Sequence, residues 1–152
     1  MDLGKCISDA TQEIFQSMLM CEAHPSAPLA TRSNKFTDSV SGLVGLAGNY
    51  RGMLAIHVPN DVAMAITSKF LFMDVEEIND DVKDAIGELA NMLAGSVKSM
   101  LTETGTGLKL AIPSAISGAE YEVECLSDGD GVIVPFCIEE GAFLVECYLQ
   151  NS

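Results

Sequence analysis

Between Asp80 and Thr104 the chain places Val82, Ile86, Leu89, Leu93, Val97 and Met100 on one stripe when successive residues are set about 100° apart around a helix. This pattern predicts a long helix with its apolar stripe against a core. Diametrically opposite lie Asp84, Glu88, Asn91, Gly95 and Lys98, a narrow polar ridge that faces water or a partner. The same periodicity recurs over residues 3 to 20, where Leu3, Ile7, Ile14 and Met18 oppose Asp9, Glu13 and Gln16. Met18 and Met20 read as core filling. The run His24-Pro25-Ser26-Ala27-Pro28 ends that helix, because proline lacks an N–H and biases its predecessor to extended geometry.

Elsewhere the apolar pattern predicts strands. One begins near Lys35, and residues 42 to 58 read as a hairpin turning at Gly48-Asn49-Tyr50-Arg51-Gly52. His57 closes its second strand, in a surface or hydrogen-bonded structural role. Asn60 is the expected cap of a shorter helix running to about Phe72, with Val62, Ile66 and Phe70 on one face. Asp74, Glu76, Glu77, Asp80 and Asp81 have the composition of a divalent-metal site. Carboxylates also gather in the first turn of a helix, where each stabilises by about 0.3–1 kcal/mol, and that reading is preferred. The long helix stops near Gly105-Thr106-Gly107, which lacks the lysine of a phosphate-binding loop. LKLAIPSAIS, EYEVECLS, GVIVPFCIE and AFLVECYLQ then follow as strands separated by Gly118, Asp128-Gly129-Asp130-Gly131 and Glu140-Gly141. The Asp-Gly-Asp-Gly run lacks the further ligands of a calcium loop and reads as a hairpin turn. The expected fold class is α+β, long helices packed on a mostly antiparallel β-sheet.

Composition narrows the function. The 152 residues suit one domain, and no apolar run approaches the length of a membrane span. The formal net charge of −14 argues against nucleic acid and against an anionic membrane surface, and favours a partner with a basic or metal-bearing site. The N-terminus lacks a basic segment followed by an apolar block, so cytoplasmic residence is the default expectation. Cys6, Cys21, Cys125, Cys137 and Cys147 contain no Cys-x-x-Cys pair and are odd in number, which fits a reducing compartment. A nucleophilic cysteine needs a base, and His24 and His57 are the only histidines.

There is also a faint internal repeat. Setting Asp9 on Asp84 brings Glu13 onto Glu88 and Gln16 onto Asn91, so the single domain of residues 1–152 divides into related halves near 1–75 and 76–152. The second half carries Pro113 where the first carries Asp38.

Asp84-x-x-x-Glu88-x-x-Asn91, with Pro113 following in the next segment, resembles the signature of the CheC/CheX/FliY family, phosphatases of the phosphorylated chemotaxis regulator CheY. With one complete copy of the motif the chain looks most like the CheX branch. The resemblance implies a CheC-like pseudo-twofold domain, a homodimer, and a phosphorylated CheY-like regulator as partner. It assigns Asn91 to orienting the attacking water, since a carboxamide both accepts and donates as the glutamine of certain GTPases does. It assigns Glu88 to the regulator's active-site lysine. Asp84, Gly95 and Lys98 would meet the partner along the ridge, and Pro113 would shape the neighbouring strand. No cofactor or metal is expected on this chain, because the regulator brings its own Mg²⁺. The rival reading is a non-catalytic binding module like the flagellar switch protein FliM, which shares the fold without the complete motif. A small-molecule hydrolase is disfavoured because no nucleophile and base come together in the sequence.

Overall fold

The computed structural model describes residues 2–30, 34–101, 107–124 and 130–151. Among these residues three helices, α1 (Leu3–Leu19), α2 (Asn60–Leu71) and α3 (Asp80–Leu101), accompany seven strands. The strands are β1 (His24–Pro25), β2 (Lys35–Gly48), β3 (Tyr50–Pro59), β4 (Leu108–Leu110), β5 (Ser114–Glu122), β6 (Asp130–Ile138) and β7 (Gly141–Asn151). They form one antiparallel sheet in the order β1-β6-β7-β3-β2-β4, and β5 continues the β4 side by pairing with the first part of β2.

The hairpin anticipated at residues 48–52 is present and a second turns just before Gly141, but the Asp-Gly-Asp-Gly run does not join a hairpin: β5, before it, pairs with β2, and β6, which starts at Asp130, pairs with β1 and β7. β2 pairs with β3 from Ser39↔Pro59 to Leu46↔Gly52, and β6 pairs with β7 down to Ile138↔Gly141. Gly141 adopts φ 150, open to glycine and costly for other residues. Two of the predicted strands are drawn differently. LKLAIPSAIS breaks at Ala111-Ile112-Pro113 into β4 and β5, because proline has no N–H for a ladder. Gly118 does not end a strand; β5 runs through it opposite Ser39 and absorbs Tyr121 and Glu122. The rest of EYEVECLS leaves the sheet or, like Asp128 and Gly129, lies outside the described residues.

The helices lie on one face of the sheet, α3 over β2, β3 and β5, and α1 over β6 and β7. Val82, Ile86, Leu89, Leu93 and Val97 of the α3 stripe are fully buried, each stabilising by about 1.5–3 kcal/mol. They meet Val40 and Val44 of β2, Leu54 and Ile56 of β3, and Val145 of β7 in one core. Met100, at the end of the stripe, is 38% exposed and stays outside the core that Val97 joins. Met18 and Met20 are not core residues: at the C-terminal end of α1 they face solvent, while Phe15 and Leu19 fill the core.

The helix starts also correct the reading. Asp2 caps α1, its Oδ1 accepting from the Lys5 N–H at 3.1 Å. Asn60 does not cap α2; it is the first helical residue, Pro59 occupies the cap position, and the Asn60 Oδ1 is buried with no hydrogen-bond partner among the described residues. Asn79 caps α3, accepting from the Val82 N–H at 3.1 Å. Of the acidic run only Asp80 and Asp81 sit in the first turn; Asp74, Glu76 and Glu77 precede it in the connection from α2. Residues 102–106, where the glycine-rich stop was expected, lie outside the described residues.

One glycine fixes how closely α3 approaches the sheet. A Cβ on Gly42 of β2 would stand 2.6 Å from the Ile86 carbonyl oxygen and 3.1 Å from the Ala90 Cβ. Alanine at position 42 must push the helix backbone away, so Gly42→Ala is expected to destabilise by about 1–3 kcal/mol, outweighing the entropy gained by removing a strand glycine. Equilibrium denaturation measures this; an unchanged or raised midpoint would mean that the helix is not held at this distance.

Candidate active site

Because the α3 stripe is committed to the core, the opposite side of the helix is presented outward. Asp84 and Glu88 are exposed, and Asn91, one turn beyond Glu88, is half-buried. Asp84 and Glu88 share a shallow groove of about 290 Å³ with Lys83, Gly87, Pro113, Ser114 and Ala115. Its second wall exists because Pro113 interrupts the β4–β5 strand; Ala111 still donates its N–H to the Gly45 carbonyl at 2.9 Å, holding the break against β2. Gly87 lies on the groove floor, where a Cβ would sit in ordinary contact, 3.9 Å from the Ala115 Cβ.

Asp84, Glu88 and Pro113, separated in sequence, thus line one groove. Asn91 lies just beyond its lining, on the same side of α3. A Cβ on Gly95 would meet nothing within 4 Å, so the next turn is open to an approaching surface. Lys98 continues the ridge, half-buried. In the first half, Asp9, Glu13 and Gln16 are likewise exposed on α1, where Asp9 accepts from Lys5 Nζ at 2.8 Å. Lys83 and Ser114 were not anticipated; Lys83 is flagged only by being next to Asp84, and Ser114 by following Pro113.

A second polar constellation lies on the sheet face away from the helices. His57, 3% exposed, places Nδ1 2.6 Å from Ser41 Oγ and Nε2 2.7 Å from Glu146 Oε1; Ser41 Oγ in turn lies 2.7 Å from the Tyr121 hydroxyl. Phe36 stacks on the imidazole at a centroid distance of 4.0 Å. Phe36 reaches this face because Asp38 adopts φ 45, which breaks the regular alternation of β2. With the proton on Nε2, one chain of donors satisfies every link: Tyr121 donates to Ser41, Ser41 to Nδ1, and Nε2–H to Glu146. Burial raises the Tyr121 phenol above its ordinary pKa, with the bond to Ser41 opposing it, so the phenol stays a donor at neutral pH. His57 is therefore hydrogen-bonded and structural. Ser41 is fully buried, and a nucleophile needs access that it lacks. Among the described residues no three His, Cys, Asp or Glu side chains converge as a metal site.

Comparison with known proteins places this architecture. The family described as chemotaxis phosphatase CheX matches residues 40–137. The CheY-P phosphatase CheX of Thermotoga maritima is 23% identical over 113 residues, covering 74% of this chain and 73% of that protein. The crystal structure of a CheC-like superfamily protein from Shewanella sp. PV-4 superposes with a TM-score of 0.88 at 29% identity, covering 99% of this chain and 98% of its own. The chain of a CheX–CheY–BeF3–Mg²⁺ complex from Borrelia burgdorferi matches with a TM-score of 0.82 at 22% identity, covering 99% of both chains. Helices packed on one face of a curled antiparallel sheet make this a CheC-like α+β domain. The chain belongs to the chemotaxis phosphatase CheX family.

The buried network yields a test. Glu146→Leu leaves the His57 Nε2–H without its acceptor and should destabilise by about 1–3 kcal/mol, whereas Glu146→Gln, which keeps an acceptor oxygen, should lose less. Denaturant midpoints of the two variants decide this, and equal losses would contradict the network.

Proposed function

We propose that this protein hydrolyses the aspartyl phosphate of a phosphorylated CheY-like response regulator, with Glu88 and Asn91 as the residues that enter the regulator's active site. The observation that carries the proposal is the presentation of Asp84, Glu88 and Asn91 along the outer side of a helix whose other side is locked in the core. Membership in the CheX family and the similarity to a named CheY-P phosphatase support the same substrate. The Borrelia complex supports a CheY-type partner.

An aspartyl phosphate is already reactive, so the main need is a water held in line with the phosphorus. The Asn91 carboxamide accepts from and donates to that water, fixing its orientation. The water attacks phosphorus, the P–O bond to the regulator's aspartate breaks, and inorganic phosphate leaves as the aspartate is restored. Glu88, one turn away on the same side of α3, pairs with the regulator's active-site lysine and sets the depth of insertion. Asp84 and Pro113 meet the regulator along the groove, and Gly95 and Lys98 extend the contact along the ridge. The chain contributes position and water exclusion, while the regulator's Mg²⁺ neutralises the phosphoryl oxygens. No phosphoenzyme forms on this chain.

A panel of phosphorylated CheY-like regulators should show accelerated phosphate loss with the wild-type protein. Asn91→Ala should lower that acceleration by about 10²-fold or more, the size expected for a positioned group acting in the transition state, without changing the folding midpoint. Glu88→Ala should weaken regulator binding as well as turnover. Full activity in Asn91→Ala would remove the mechanism. No acceleration across the panel by folded wild-type protein would favour a binding module.

A further inference from the structure

Both α1 and α2 end on a left-handed residue that is not glycine. Met20 has φ 53 and Phe72 has φ 56, each as the C-cap residue whose N–H closes the last helical turn. Glycine is the usual occupant of such positions, since a Cβ is strained there. Neither side chain repays that strain by burial: Met20 is 77% exposed and Phe72 83%. Met73, next to Phe72, is also exposed at 54%. Strain held at exposed apolar residues points to work done outside the folded chain.

The two caps belong to one end of the molecule. Cys21, which follows Met20, lies close enough to Lys69 and Glu140 for their charges to bias its thiol. Lys69 and Glu140 pair at 2.7 Å, and with Phe72, Met73 and Asp74 they line an open pocket of about 440 Å³. The Lys69 charge is thus already neutralised by Glu140. Asp74 lines this pocket and Glu139 lies near enough for its charge to act on Lys69, and among the described residues neither has a salt-bridge partner. The C-terminal end of α2 adds its own partial negative charge at the same place.

We propose that this end of the molecule is a docking surface for a basic amphipathic helix of a partner protein, with Phe72, Met73 and Met20 taking its apolar side and the surrounding carboxylates its lysines and arginines. Methionines suit such a surface because their flexible thioether side chains adapt to different apolar anchors. The acidic rim matches a cationic helix and excludes a second copy of this chain, which would bring the same carboxylates against it. The surface is separate from the α3 groove and does not depend on the phosphatase reading.

The test uses the full chain and a synthetic helical peptide several turns long, with leucine and phenylalanine on one face and lysine on the other. Fluorescence anisotropy should show saturable, salt-sensitive binding to wild type and none of a glutamate-for-lysine version of the peptide. Phe72→Gly should weaken binding at least about tenfold while keeping or raising the melting temperature, because glycine relieves the left-handed cap and every charge is retained. Met20→Gly provides the same comparison at the other cap. Lysine-peptide binding that is absent in wild type, or equal in wild type and both glycine variants, would overturn the proposal. So would a wild-type dimer in sedimentation that Phe72→Gly converts to monomer, since the patch would then be covered by a second copy.

Discussion

The close approach of α3 to β2 is the constraint on which the rest of the arrangement depends. It exists because Gly42 presents hydrogen where any other residue would present carbon 2.6 Å from the Ile86 carbonyl oxygen. With the helix held there, its apolar stripe is fully committed to the sheet and its polar ridge can only point outward. The depth of the neighbouring groove follows from the same contact, because its other wall, Pro113 to Ala115, is anchored to β2 through β5. A packing contact on one side of a helix therefore sets how the polar ridge on the other is presented.

The opposite face of the sheet is stabilised by different means. Among the described residues no helix lies on it, yet Ser41, His57 and Glu146 are buried there. Polar groups removed from water must find partners, and the Tyr121–Ser41–His57–Glu146 chain links strands β5, β2, β3 and β7 through directional bonds that a one-residue slip in register would break. Apolar packing does not penalise misalignment so specifically. The triad-like order of serine, histidine and glutamate is thus a register lock, and its inaccessibility separates it from the exposed α3 site.

Much of this was legible in the sequence because the signals were local and periodic. The α3 stripe and ridge followed from helical spacing, and the hairpin at Gly48 from a glycine-rich turn between apolar runs. The readings that failed concern ends and connections. Met18, Met20 and Met100 were read as core residues, but each sits near the end of its helix and outside the core, which Leu19 and Val97 fill instead. Asn60 has the composition of a cap and lost the position to Pro59. Pro113 was visible as a breaker, but that its break makes one wall of a groove facing Glu88 depends on how the sheet brings residues 88 and 113 together. Glu146 was hidden inside an apolar strand; its role depends on cross-strand contacts with no fixed sequence spacing.

We propose that the outer side of α3 enters the active site of a CheY-like regulator with Asn91 at the phosphoryl group. The most direct measurement is a titration of ¹⁵N-labelled protein with such a regulator carrying BeF3 and Mg²⁺, following the Asn91 side-chain amide. This signal should shift and become protected from solvent exchange, together with backbone signals along Asp84 to Gly95, and unloaded regulator should produce much smaller changes. A loaded regulator that binds but perturbs the sheet face around His57 or the ends of α1 and α2, leaving Asn91 unchanged, would contradict it.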